Sequence, residues 1–209
     1  MSDVVLYDYW RSSASYRVRI ALNLAGIAYE TVQVNLLTRD HKSPEHLARN
    51  PQGLVPAIFI DGLLLTQSLA IIEYISETRD AGFLPVSPFE RAQVRALAHA
   101  IAMDIHPICN LSVANHVAEL VGDADKTTRA WMNKFVGSGL AALELMLQRT
   151  DGPLCFGDKP TLADICLVPQ VYNARRWDVD LSAMPRILSI DAQLNKIDAF
   201  SRSAPQRPV

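Results

Sequence analysis

Apolar positions along this chain follow two rhythms, and the change from one to the other divides the molecule. In the first eighty residues, strand-length apolar runs alternate with helical spacing. Val4-Val5-Leu6-Tyr7 is a short strand. After the polar turn Arg11-Ser12-Ser13, residues Val18, Ala21, Leu22 and Ala25 stand at i, i+3, i+4 and i+7, one face of a helix. Gly26 supplies the left-handed stop expected just past its end. Tyr29 to Val34 alternates and is β-branched, predicting a second strand, and the polar stretch Asn35 to Arg49 predicts a short helix. Asn50-Pro51-Gln52-Gly53 reads as a turn, Leu54 to Ile60 as a third strand, Asp61-Gly62 as a hairpin turn and Leu63 to Leu65 as the return strand. Gln67-Ser68 opens a helix striped by Ile71, Ile72 and Ile75. The order is β-α-β, then β-β-α. A parallel pair needs a crossover helix and a two-residue turn gives an antiparallel pair, so the expectation is a small mixed sheet with helices packed on it.

Beyond Leu84-Pro85 strand signals stop. The prolines through Pro88 mark a joint, and residues 81–87 are expected to link a unit of residues 1–80 to an all-helical unit of residues 88–209. Phe89 to Val121 predicts one or two helices. Lys126 to Gln148 predicts another, with Val136, Leu140, Leu143 and Leu147 on one face. Thr161 to Arg176 and Pro185 to Phe200 complete the set, and Pro169 is expected to kink the former. Thr161-Leu162-Ala163-Asp164 is a capping box, a structural signal. The polar segment Ser201 to Val209, with two prolines, reads as a loosely held tail. The fold class is α/β plus all-α, without internal repeats.

Composition narrows the function. The chain is 49% hydrophobic and 20% charged, an ordinary folded protein, and its formal charge of -2 gives no basis for nucleic-acid binding. No apolar run approaches the roughly 20 residues that a membrane span needs. No basic-then-apolar leader precedes Val4. Cys109, Cys155 and Cys166 are an odd set at unrelated spacings, neither a disulfide framework nor a metal pattern. Free thiols and a cytoplasmic location are the expectation, with no metal.

Two sites in the first half carry candidate chemistry. Val55-Pro56 opens a strand after a glycine-containing turn; by frequency alone such a bond is trans. Gln67-Ser68 begins a helix. Ser68 can serve only as a cap, or the serine hydroxyl and first-turn N–H groups can hold a carboxylate.

Several stretches together bear a specific likeness. Arg11-Ser12-Ser13-Ala14-Ser15-Tyr16-Arg17-Val18-Arg19-Ile20-Ala21-Leu22 resembles the signature of the zeta-class glutathione transferases. The likeness continues through Asn50 to Pro56, Gln67 to Tyr74, Asn110 to Val113 and Gly157 to Arg176, nearly the whole chain. It implies a thioredoxin-like, glutathione-binding first domain with Val55-Pro56 cis, a helical substrate-binding second domain, and a homodimer. The implied reaction is glutathione-dependent cis–trans isomerisation of 4-maleylacetoacetate to 4-fumarylacetoacetate in tyrosine and phenylalanine breakdown. Maleylpyruvate of the gentisate route, or conjugation of α-haloacids, stands as the alternative. The resemblance sets Ser12, Ser13, Ala14, Ser15, Tyr16 and Arg17 around glutathione, with the sulfur beside Ser12 or Ser13. Val55 is placed on its cysteinyl backbone, Gln67 and Ser68 on its γ-glutamyl end, and His41, His106 and Asn110 at further contacts. Arg11 and Arg176 are the implied carboxylate clamps, whose forked guanidinium groups suit a dicarboxylate keto-acid. Read alone, Arg17 and Arg19 look structural. Two positions depart from the family: Ala14 stands where cysteine is usual and Tyr16 where tryptophan is usual. Loss of that thiol disfavours chemistry that needs a protein cysteine, while isomerisation takes its sulfur from glutathione.

Overall fold

The computed structural model describes residues 3–207, which fall into two compact units. One is formed by the chain up to Phe83 together with the chain from Ile197 onward; the other is Leu84–Lys196.

The first unit is built around strands β1 (Val5–Asp8), β2 (Glu30–Gln33), β3 (Ala57–Ile60) and β4 (Leu63–Thr66) in the order β2-β1-β3-β4. β1 runs parallel to β2, with Leu6 opposite Thr31, and antiparallel to β3, with Leu6 opposite Ile58. β3 and β4 form the hairpin, Ile58 facing Leu65. This register puts Leu6 and Ile58 on one face, where both are fully buried. Helix α1 (Ser13–Leu24) supplies the crossover. Ser12 caps its start by accepting a hydrogen bond from the Ser15 N–H at 3.2 Å, and Gly26 at φ 66° ends it. A 3₁₀ turn (Asp40–Lys42) and α2 (Pro44–Arg49) occupy the polar stretch, and α3 (Ser68–Thr78) buries Ile71, Ile72 and Ile75 as its spacing predicts. The Val55–Pro56 bond is cis.

The second unit is helical: α4 (Pro88–His99), a π-helical segment (Ala100–Ile105), α5 (Leu111–Val121), α6 (Ala124–Leu147), α7 (Leu162–Arg176) and α8 (Pro185–Leu194). The Phe89–Val121 stretch is thus interrupted by a wide turn of π-helix and a bend through His106–Asn110. Gly139 of α6 makes room for that segment, since a Cβ there would collide with Ile105. Glu144, buried in α6, accepts from the N–H groups of Arg186 and Ile187 at 2.9 Å each and so satisfies the first donors of α8. At α7 the Asp164 carboxylate accepts from the Thr161 N–H at 2.8 Å, the Thr161 hydroxyl at 2.7 Å and the Cys155 N–H at 2.9 Å. Burial outweighs these bonds and raises its carboxyl above the ordinary range. Among the described residues no helix is long and apolar enough to cross a membrane.

The C-terminal expectation needs correction. Pro185 to Phe200 is two helices, because α8 ends at Leu194 and Ile197 turns extended before the short α9 (Asp198–Ser201). The segment that follows is held through Ser203, which is 1% exposed. Its carbonyl accepts from Arg19 Nε at 3.0 Å and its hydroxyl accepts from Asn23 Nδ2 at 2.6 Å. Phe200, fully buried, joins the core of the first unit, and its carbonyl accepts from the Tyr16 hydroxyl at 3.4 Å.

Candidate functional site

The amino end of α1 gathers the first group of expected residues. Ser12 is half-buried, and because its oxygen accepts from Ser15, the hydroxyl proton remains available to donate outward. Ser13 is buried, Ala14 half-buried and Ser15 fully buried with its hydroxyl unpaired. The helix dipole and the first-turn N–H groups make this end favourable for an anion. Tyr16 lies in the core with its hydroxyl on Phe200, so its side chain serves packing rather than a ligand. Arg17 is 1% exposed and donates through Nη1 to the Ser68 hydroxyl at 3.3 Å, joining α1 to the start of α3.

Gln67 and Ser68 open α3 in an unusual way. Gln67 has φ 70° and ψ 112°, a conformation that costs a non-glycine residue roughly 1–3 kcal/mol and is found mostly at functional sites. Its Nε2 donates to Gln52 Oε1 at 2.8 Å, and Lys42 Nζ donates to the Gln52 carbonyl at 3.3 Å. Gly53, at φ 60°, completes the turn. A Cβ there would stand 2.7 Å from Lys42 Nζ and 2.9 Å from the His41 carbonyl oxygen, so only glycine fits against the 3₁₀ turn. His41 Nδ1 is buried without a partner, and burial first, then the positive charge of Lys42, lowers its pKa, favouring the neutral ring. Neither the N–H nor the carbonyl of Val55 pairs with another described residue, which leaves both backbone groups open beside Pro56. Lys42 and Gln52 were not singled out in the sequence. Gln52 lies inside the Asn-Pro-Gln-Gly turn, a signal that was present, whereas nothing marked Lys42 in its unpatterned stretch.

The chain therefore brings Ser12 to Arg17, His41, Val55, Gln67 and Ser68 into one unit and leaves His106, Asn110 and Arg176 in the other. Arg11 lies beside the α1 start, 5.4 Å from the Trp10 ring centroid. His106 follows the π-helical segment and is half-buried. Asn110 caps α5, its Oδ1 accepting from the Val113 N–H at 3.0 Å and the Ser112 hydroxyl at 2.7 Å, so its side chain already has a structural task. Arg176 ends α7, donating to Asn173 Oδ1 at 3.2 Å and stacking 4.9 Å from the Trp177 ring centroid. No protein thiol competes as a nucleophile. All three cysteines are outside any disulfide, buried and in the second unit, and burial raises the Cys109 thiol to about 11 and Cys155 well above the ordinary value.

Residues 2–77 match the glutathione S-transferase N-terminal domain. A maleylacetoacetate isomerase from Rhizobium meliloti is 62% identical over 208 residues, covering 99% of this chain and 98% of that protein. The holo structure of a maleyl pyruvate isomerase, a bacterial zeta-class glutathione S-transferase, superposes with a TM-score of 0.93 at 42% identity, covering 96% of each chain. A maleylacetoacetate isomerase from Methylobacterium extorquens AM1, solved with bound malonate and glutathione, gives a TM-score of 0.93 at 40% identity and 98% coverage of both chains.

Proposed function

The chain belongs to the zeta-class glutathione transferases, and on that premise we propose that it isomerises 4-maleylacetoacetate to 4-fumarylacetoacetate with glutathione as a returned cofactor. The carrying observation is the α1 amino end: two adjacent hydroxyls on a helix start, in a unit that contains no cysteine of its own. The residues present fit the tripeptide. Val55 offers an unpaired backbone N–H and carbonyl for its peptide, while the α3 start with Gln67 and Ser68 suits its γ-glutamyl carboxylate. His41 and the cationic Lys42 lie across the Gly53 turn from Val55.

When bound, glutathione supplies a sulfur that adds to the cis double bond, permits rotation about the resulting single bond and leaves again. The chain's part is electrostatic and positional. Ser12 or Ser13 donates a hydrogen bond to the sulfur, and the α1 dipole favours its anion. Arg11 and Arg176 are the candidate partners of the substrate's carboxylates, and the imidazole of His106, which the family likeness sets at a glutathione contact, is a group able to assist proton movement. Ala14 removes the usual thiol, which speaks against a dehalogenating reaction and leaves isomerisation intact. Maleylpyruvate remains the second reading, supported by the Asp104-Ile105-His106-Pro107 segment and by the holo maleyl pyruvate isomerase likeness.

A homodimer in the cytoplasm belongs to the same proposal. Exposed Phe59, Leu63 and Leu64 in the first unit and Phe89 in the second are apolar surface available for an interface, and three cysteines outside any disulfide suit a reducing compartment. Sedimentation equilibrium should return twice the chain mass. The function itself is tested by following absorbance of each maleyl substrate with and without glutathione. Glutathione-dependent turnover, faster with maleylacetoacetate, is expected; turnover without glutathione, or none with either substrate, rejects it.

A further inference from the structure

A cavity of about 520 Å³ opens within the first unit, bounded by Tyr9, Trp10 and Arg11 after β1, Gln33 at the end of β2, Asn35 and Leu37 beyond it, and Arg207 from the C-terminal segment. These residues present two guanidinium groups and two side-chain amides with no carboxylate among them. The Tyr9 hydroxyl is the telling group. Tyr9 is only 4% exposed, yet its hydroxyl has no hydrogen-bond partner. Leaving a buried donor unpaired costs roughly 1–3 kcal/mol, so such a group calls for an occupant. Asn35 is similarly set: its Oδ1 accepts from the Leu37 N–H at 2.9 Å and its N–H donates to Asp40 Oδ2 at 3.1 Å, leaving the side-chain NH₂ as its open end.

The walls are fixed by one buried residue. Arg19 donates through Nη1 to both Asp8 carboxylate oxygens at 2.8 Å, through Nη2 to the Trp10 carbonyl at 3.0 Å, and through Nε to the Ser203 carbonyl at 3.0 Å. A single guanidinium therefore ties the end of β1, the loop carrying Trp10 and Arg11, and the segment that delivers Arg207 four residues later. An arrangement of cations and neutral donors, held in advance and lacking any anion, is complementary to a carboxylate.

We propose that this cavity is a carboxylate subsite for the dicarboxylate substrate, with Arg207 and Tyr9 as specificity-determining residues beside Arg11. The proposal deepens the isomerase reading and rests on it for the identity of the substrate. Arg207 supplies a second fork, and Tyr9 supplies a short, buried donor that distinguishes a carboxylate oxygen from an apolar end.

The experiment compares the full chain with Arg207→Gln, Arg207→Lys and Tyr9→Phe. Malonate serves as the probe in the absence of glutathione, its dissociation constant read by calorimetry and by tryptophan fluorescence, with Trp10→Phe identifying the reporting ring. Glutathione affinity and the steady-state constants for the maleyl substrate are measured in parallel. Arg207→Gln is expected to raise both the malonate Kd and the substrate KM about tenfold, and Tyr9→Phe severalfold, with glutathione affinity unchanged. Arg207→Lys should recover part of the loss, because a point charge replaces a fork. Unchanged malonate Kd and substrate KM in Arg207→Gln and Tyr9→Phe would overturn the subsite, as would a loss confined to glutathione affinity. A wild-type chain that turns over neither maleyl substrate overturns the isomerase reading instead, and the malonate titration then judges the cavity separately.

Discussion

Ser12 and Ser13 sit side by side but do different work for the helix they open. Ser12 is the cap, so Ser12→Ala is expected to cost about 1 kcal/mol of stability, a loss that Ser13→Ala does not share. Turnover should respond more strongly: replacing both serines lowers kcat by about 100-fold, the scale of removing a donor from a developing or resident anion. Steady-state assays beside denaturant unfolding separate the two effects, and a full rate in a folded double variant would contradict the assignment. Cys109 illustrates the opposite design, a sulfur kept inert. Burial raises its thiol to about 11, against about 8.5 for an unperturbed cysteine. The folded state thus holds this proton more tightly than the unfolded chain, so the associated stability is present below the unfolded pKa and is lost as pH rises through the folded one. Alkylation of native Cys109 by iodoacetamide should be slow near neutral pH and accelerate only as pH approaches 11, with Cys109→Ser as the control.

Elements show how closely backbone requirements and chemistry are joined. The Asn50–Gly53 turn was recognisable from its residues, yet the reason for Gly53 lies earlier in the chain, at His41 and Lys42 of the 3₁₀ turn. Gly53→Ala combines a left-handed φ of 60° with a Cβ pressed against Lys42 and the His41 carbonyl. A loss of about 1–2 kcal/mol is expected from the φ alone, measured by denaturant midpoint, together with weaker retention on immobilised glutathione because Val55 and His41 flank the turn. The hairpin at Asp61-Gly62, the α1 stop at Gly26 and the Thr161–Asp164 capping box were legible because each is written in adjacent residues. The π-helical segment before His106 was not. Its Ile105 packs where Gly139 on another helix leaves room, and no spacing within Phe89–Val121 announces that contact.

At the scale of the molecule, the chain from Ile197 onward completes the first unit rather than extending the second. Tyr16 and Phe200, and Arg19 and Ser203, are each 184 residues apart in sequence and hydrogen-bonded in the fold. Phe200→Ala should therefore lower stability by about 3–5 kcal/mol, a core-sized loss, although the residue belongs to a short helix late in the sequence. Thermal and denaturant unfolding check this. A change within about 0.5 kcal/mol, the scale of an ordinary surface substitution, would mean that the segment is only a tail.

The sequence by itself determined the strand order, the mixed sheet, the helices of the first unit that pack on it and the hydroxyl-bearing start of α1, because periodicity, turn residues and caps act over a few neighbouring positions. Family likeness added the glutathione assignment to those residues. Only the tertiary structure decided that Arg19 fastens three separated segments, that Gln67 is held at positive φ against Gln52, and that Arg207 returns beside Tyr9 and Arg11. Those arrangements depend on burial and on hydrogen bonds between distant parts of the chain, and a linear pattern carries no record of which distant groups will meet.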